Sequence, residues 1–228
     1  MKTIGIIGAM NLEIKLLKDN MNIIKEESLA GFNYYIGKME GIKVILTCCS
    51  IGKVNAAVCT QILIDRFKVD YVINTGIAGS LHKEVQICDV VISTDVTYHD
   101  VRKDQMKRCF PYKEYFDASK ELIKVATKAC ELIKTEEWNY HLGRIVSGEC
   151  FVSDNKLKQK IIEGYSPYCV EMEGTAIGHV AYINSIPFVV IRSISDNADD
   201  EATISCEAFE EISAKQSANI VINMVKMI

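Results

Sequence analysis

Proline is scarce: three residues in 228, Pro111, Pro167 and Pro187, with no repeat or low-complexity tract beside them. No linker is evident, so residues 1–228 are expected to form a single domain, long enough for one sizeable core. Long apolar runs are missing too, and nothing approaches the ~20 residues that cross a bilayer. The opening "MKTIGIIGAMNLEIKLLKDN" has a lysine and a short apolar run, but Gly5 and Gly8 punctuate it and Glu13, Lys15 and Lys18 follow. A buried strand fits it better than a leader or membrane segment. There is no excess of positive charge; a net charge of −4 and a pI of 5.7 argue against a sequence-independent grip on nucleic acid. Histidine is limited to His82, His99, His141 and His179, scattered without metal-ligand spacing, so no metal is expected. Cysteine is plentiful but disorganised: nine residues, odd in number, without a C-x-x-C. They read as reduced core thiols of a cytoplasmic protein.

What the chain does contain is alternation of strand-like and helix-like segments. Apolar runs stand at "TIGIIGA", "FNYYIGKM", "KVILTCCS", "DYVINTG", "DVVISTDV", "HLGRIVSG" and "PFVVIRSIS". Several lack a polar face, as strands covered on both sides do. Between them lie helical patterns: "NLEIKLLKDN" with Asn11 as N-cap, "KVNAAVCTQILIDRF", "DASKELIKVATKACELIKT", "EGTAIGHVAYINS", and a long last helix from near Ser205. This order predicts an α/β fold, three-layered α/β/α around a mixed, largely parallel twisted sheet. Ligands of such sheets sit at the carboxyl ends of the strands.

The segments expected there are "GAMNLE", "TGIAGS", "SGECFVSD", "VEMEGTA" and "SISDNADD", the fourth if residues 168–170 are a short strand. Together they offer Glu13, Glu171, Glu173, Asp196, Arg192, Phe151 and two methionines. No G-x-G-x-x-G, P-loop or G-x-S-x-G occurs; "SIGKVNAA" has Val54 where a P-loop needs Ser or Thr. Taken singly, Glu13, Glu171 and Glu173 read as helix-start carboxylates, Met10 and Met172 as core filler, and Asp196 as a turn cap. Arg192, inside an apolar strand, demands a carboxylate partner.

Laid side by side, "IGIIGAMNLEI", "SIGKVNAA", "NTGIAGSL", "YHD", "VEMEGTAIGHV", "RSISDNAD" and "AKQSA" resemble, in order, the 5'-methylthioadenosine/S-adenosylhomocysteine nucleosidases of the purine nucleoside phosphorylase-like fold. The resemblance covers nearly the whole chain. It implies cleavage of the N-glycosidic bond of 5'-methylthioadenosine and S-adenosylhomocysteine, releasing adenine without a cofactor, in a homodimeric enzyme of methionine salvage. By the same resemblance Asp196 is the general acid at adenine N7, and Ser195 beside it is a substrate-binding residue. Phe151 stacks on the base and the backbone near Val152 reads its edge. Glu173 binds the ribose hydroxyls, with Met172 against the sugar, while Glu13 activates water held with Arg192. Met10, Ile51 and Gly79 line the ribose and the C5' substituent, and Glu171 is structural. An acid in "GAMNLEIK", where related phosphorylases carry arginine, suits water and repels a phosphate dianion.

Three departures mark this sequence. Ile77 replaces a common serine, Cys206 an aromatic, and "HDVRKDQMKRCFPYKEYF" brings Arg102, Lys103, Lys107 and Arg108 into a loop that is usually small and apolar. Those charges read either as a solvated basic loop or as a seat for the anionic tail of S-adenosylhomocysteine. Phosphorolysis, cleavage of another 5'-modified adenosine such as aminofutalosine, and a non-catalytic nucleoside sensor remain as alternatives.

Overall fold

The computed structural model describes residues 2–228. In chain order the elements are β1 (Thr3–Gly8), α1 (Asn11–Asp19), β2 (Asn22–Leu29), β3 (Phe32–Met39), β4 (Ile42–Cys48), α2 (Lys53–Phe67), β5 (Tyr71–Ser80) and β6 (Val90–Tyr98). Then come α3 (Lys103–Arg108), β7 (Phe116–Asp117), α4 (Lys120–Ile133), β8 (Tyr140–Ser147), α5 (Asn155–Tyr165), β9 (Cys169–Glu171), α6 (Gly174–Ile183), β10 (Phe188–Asp196) and α7 (Ala202–Val225). All belong to a single sheet with helices packed on both faces, α1, α4 and α7 meeting on one and α2 and α6 on the other.

Half of this sheet closes on itself. The strand order runs β10-β6-β8-β9-β5, and β5 pairs again with β10. The other half is an open arm, β1-β4-β3-β2, leaving from β5. Parallel ladders join β4, β1, β5 and β10, and also β6, β8 and β9; the β2–β3–β4 meander, β5–β9, β6–β7 and β6–β10 are antiparallel. Ile4, Ile6, Ile7, Val72, Ile73, Val189, Val190 and Ile191 are fully shielded, which is why these strands read as unbroken apolar runs.

Some expected boundaries move. Met10, not Asn11, is the N-cap of α1, because Glu13 reaches back and supplies the acceptor that Asn11 would have given. The last helix begins about one turn before Ser205, and the short strand before "MEG" falls one residue later than expected. β5 and β10 continue through "TGIAGS" and "SISD", so those segments end strands instead of following them. Four elements were not foreseen: β2, a largely exposed edge strand carrying Lys25, Glu26 and Glu27, the two-residue β7, and the polar helices α3 and α5.

Candidate active site

The carboxyl ends of β1, β5, β9 and β10 converge on one cavity of about 140 Å3. Glu13, Glu173 and Asp196 all line it, with Met10, Ile51, Ile77, Gly79, Phe151 and Met172. Residues nearly 200 positions apart thus share one small space. A smaller lobe of about 30 Å3 opens off one end, walled by Gly79, Cys150, Phe151, Val152 and Asp196. Ser195 is fully buried and lines neither space; its hydroxyl donates to Asp196 Oδ2 at 2.8 Å.

Glu13 is held by the start of its own helix. Its Oε2 accepts from the Ala9 and Met10 N–H groups at 2.6 and 2.9 Å, and Oε1 from Ile77 N–H at 3.0 Å. Gly76 makes the approach possible, since a Cβ there would collide with both Glu13 and the Arg192 guanidinium. Burial raises the Glu13 pKa; Arg192 and the three amide donors oppose it only in part.

Arg192 departs from the expectation that it holds a water with Glu13. It is 1% exposed, does not line the cavity, and stands behind three carboxylates. Its closest acid is Glu171, hydrogen-bonded to Nη2; Glu173 Oε2 is 3.5 Å from that atom and Glu13 Oε1 is 3.7 Å from Nη1. Asn74 Oδ1 takes a further Nη2 proton at 2.8 Å. Burial lowers the Arg192 pKa, but Glu171, Glu13 and Glu173 outweigh it and the net shift is upward. One cation faces three acids, and burial raises the pKa of both Glu13 and Glu173, so the cluster takes up protons in place of part of its charge.

Glu171 organises this cluster. Its Oε2 also accepts from the Glu173 and Gly174 N–H groups at 3.0 and 2.7 Å, and Oε1 accepts from the Ser147 hydroxyl. It touches the cavity wall as well, beyond the structural role that the resemblance gave it. Glu173 turns its Oε1 to Gly52 N–H at 2.9 Å, and its pKa is pushed up to about 8 by burial and then by the charge of Glu171. Asp196 ends β10 at a bulge: Ile194 pairs with Ala78 and Asp196 with Gly79, leaving Ser195 as the extra residue. The Asp196 Oδ1 accepts from Ala198 N–H at 2.8 Å. Burial raises its pKa against the pull of Ala198 and Ser195.

Ala9, Ala78, Val170 and Glu210 complete the lining without having been foreseen; Cys206, expected where relatives carry an aromatic, lines it too. The basic loop does not reach it. Lys107 and Lys103 lie 2.9 and 3.8 Å from the buried Glu114, Lys103 also donates to Gly164 O, and Arg108 is exposed beside Asp104. Within one chain these charges are spent locally. Among the described residues no group of three or more His, Cys, Asp or Glu is arranged for a metal ion, and no helix is long and apolar enough to cross a membrane.

The phosphorylase superfamily profile matches residues 3–226. A 5'-methylthioadenosine/S-adenosylhomocysteine nucleosidase of Staphylococcus aureus is 39% identical over 232 residues, covering 99% of this chain and 100% of that protein. The chain belongs to this nucleosidase family. The crystal structure of the Neisseria meningitidis nucleosidase bound to methylthio-immucillin-A superposes with a TM-score of 0.94 at 36% identity, covering both chains completely. A futalosine hydrolase of Helicobacter pylori superposes at 0.92 with 31% identity, covering 100% of this chain and 98% of that one.

Proposed function

We propose that this nucleosidase hydrolyses the N-glycosidic bond of 5'-methylthioadenosine and S-adenosylhomocysteine, with Asp196 as acid and Glu13 as the base for water. The observation that carries the reading is the charge of the cavity. Its ionisable lining is all acidic, and both Nη groups of the nearest arginine are already taken by Glu13, Glu171, Glu173 and Asn74. A phosphate dianion would find no cation there, whereas a sugar developing positive charge would be stabilised. The sensor alternative needs neither the raised acid nor the carboxylate base.

In this mechanism Phe151 stacks on adenine and Asp196 gives its proton to N7 as the C1'–N9 electron pair moves to the base. Glu173 holds the ribose hydroxyls, and the positive charge developing on the sugar draws it into the ionised form that favours the oxocarbenium-like transition state. Glu13 takes a proton from the water that attacks C1'; burial moves it toward the range useful to a base at neutral pH. Arg192 acts from behind, fixing the acids by charge instead of touching water. Adenine release, followed by mass spectrometry, runs at full rate without phosphate; a strict phosphate requirement overturns the hydrolytic reading.

The working unit is a homodimer in the cytoplasm. Support for the dimer comes from apolar side chains left in water: Val54 and Val58 one turn apart on α2, Phe110 and Tyr112 at 71% and 69% exposure, and Tyr182 on α6, which packs against α2. Light scattering coupled to size exclusion tests it, and a monomer at micromolar concentration rejects it.

A further inference from the structure

Five acids line the catalytic cavity, Glu13, Glu171, Glu173, Asp196 and Glu210, and four of them are engaged. Glu13 accepts from the Ala9, Met10 and Ile77 N–H groups, and Glu171 from Arg192 and two amides. Glu173 accepts from Gly52 N–H, and Asp196 from Ser195 and Ala198. The Glu210 carboxylate has no hydrogen-bond or ion-pair partner among the described residues. Lys215, the first lysine of its helix, is taken by Glu211 at 2.8 Å. No lysine, arginine or histidine lines the cavity or the lobe beside Phe151 and Val152.

The unpartnered acid has a definite place. Glu210 and Cys206 lie one turn apart on α7, and both wall the cavity but not the lobe. Asp196 and Phe151, the two groups assigned to the base, wall both spaces. With adenine at those two and ribose at Glu173, a substituent carried by the sugar faces the part of the cavity to which Glu210 belongs. The short Cys206 side chain leaves the acid open to that space, and Glu210 itself is half-buried. A cation beside it there is screened less than at an open surface, and needs less desolvation than in the core. A carboxylate brought to the same place meets a like charge instead.

We propose that Glu210 is a charge-selecting residue of this nucleosidase: it favours adenosine thioethers whose substituent ends in an ammonium group over neutral ones, and disfavours those that end in a carboxylate. The assignment rests on the hydrolase reading above and adds to it the charge class of the preferred substrate. An ion pair remote from C1' contributes binding common to ground and transition states, so its loss appears in KM.

The test is steady-state adenine release from three 5'-deoxyadenosines of matched length, bearing 3-aminopropylthio, butylthio or 2-carboxyethylthio at C5', with 5'-methylthioadenosine as control. The full chain, Glu210→Gln and Glu210→Lys are compared, with a thermal melt of each. In the parent, kcat/KM for the amine is expected to exceed that for the butyl compound by about 5- to 30-fold, carried by KM, and the carboxylate to fall below both. Glu210→Gln brings the amine and butyl values within about threefold, and Glu210→Lys reverses the order of amine and carboxylate. In the parent alone, raising salt from about 0.05 to about 0.5 M shrinks the advantage of the amine, a response that a merely structural glutamate would not give. An order unchanged in variants that melt like the parent, or an amine preference in the parent that is absent or indifferent to salt, overturns the assignment. So does a parent that cleaves methylthioadenosine and none of the three longer compounds. A parent that releases adenine from none of the four instead overturns the hydrolase reading, and the assignment with it.

Discussion

Glu173 offers a prediction in which stability and activity move in opposite directions. The side chain is 4% exposed, faces Glu171, and holds its proton to about pH 8 against an ordinary 4.5. Because the folded-state value is raised, the stabilising contribution of that proton is complete below about pH 4.5 and is lost as pH climbs through about 8. At about 1.36 kcal/mol per pH unit the interval corresponds to about 5 kcal/mol, an upper bound for a group so close to other charges. Glutamine keeps the Gly52 N–H bond at Oε1 and removes the buried charge; what it gives up is the 3.5 Å approach to Arg192. Glu173→Gln is therefore expected to match the parent within about 1 kcal/mol at pH 5, and to exceed it by about 2–5 kcal/mol at pH 9. In a chain of 228 residues that is a rise in Tm of roughly 4–20 °C at the higher pH. The same variant cannot ionise beside the ribose as positive charge develops there, and kcat falls by about 10²–10³. Urea titration of ligand-free protein at pH 5, 7 and 9, with adenine release in parallel, measures both. A variant that is less stable than the parent at pH 9, or whose stability difference is the same at all three pH values, refutes the account of the cluster.

Three further outcomes follow from the same geometry. Asp196→Asn retains an acceptor for Ala198 N–H but has no proton to give, so kcat falls by about 10²–10⁴ with KM changed only a few-fold; turnover within tenfold of the parent removes Asp196 from the acid role. Arg192→Met leaves Glu13, Glu171 and Glu173 without their buried cation, and denaturant titration at pH 8 is expected to register a loss of about 3–5 kcal/mol that shrinks toward pH 5; a loss independent of pH contradicts this. Gly76→Ala drives a methyl into both Glu13 and Arg192, where neither can withdraw, and is expected to cost about 1–3 kcal/mol and most of the activity; a near-neutral variant shows that the pair has room to move.

The fold was legible where burial is complete. Strands such as β1, β5 and β10 spell continuous apolar runs because both their faces are covered, and α2 was readable to its first and last residues. β2 and α5 were hidden because an edge strand and a solvent-facing helix are selected for polarity, and their sequences resemble loops. In the site, Glu13, Glu173 and Asp196 could be singled out from strand-end position and family pattern, and they do line one cavity. Glu171 was given only a structural role, and its bond to Arg192 could not be read, since it depends on which of two carboxylates two residues apart the backbone turns toward the guanidinium. The fate of the 101–112 lysines was equally invisible: it depends on Glu114, a buried carboxylate reached only through the fold of that loop.

The return of β10 between β5 and β6 has a consequence for biosynthesis. Arg192 and Asp196 ride on a strand that leaves the ribosome after nine others, and until it docks the ring is open and Glu13, Glu171 and Glu173 have no counter-ion. A nascent chain stalled short of this strand would hold three acids at an unsealed seam, so catalytic competence and closure of the barrel should be gained together, in one late step.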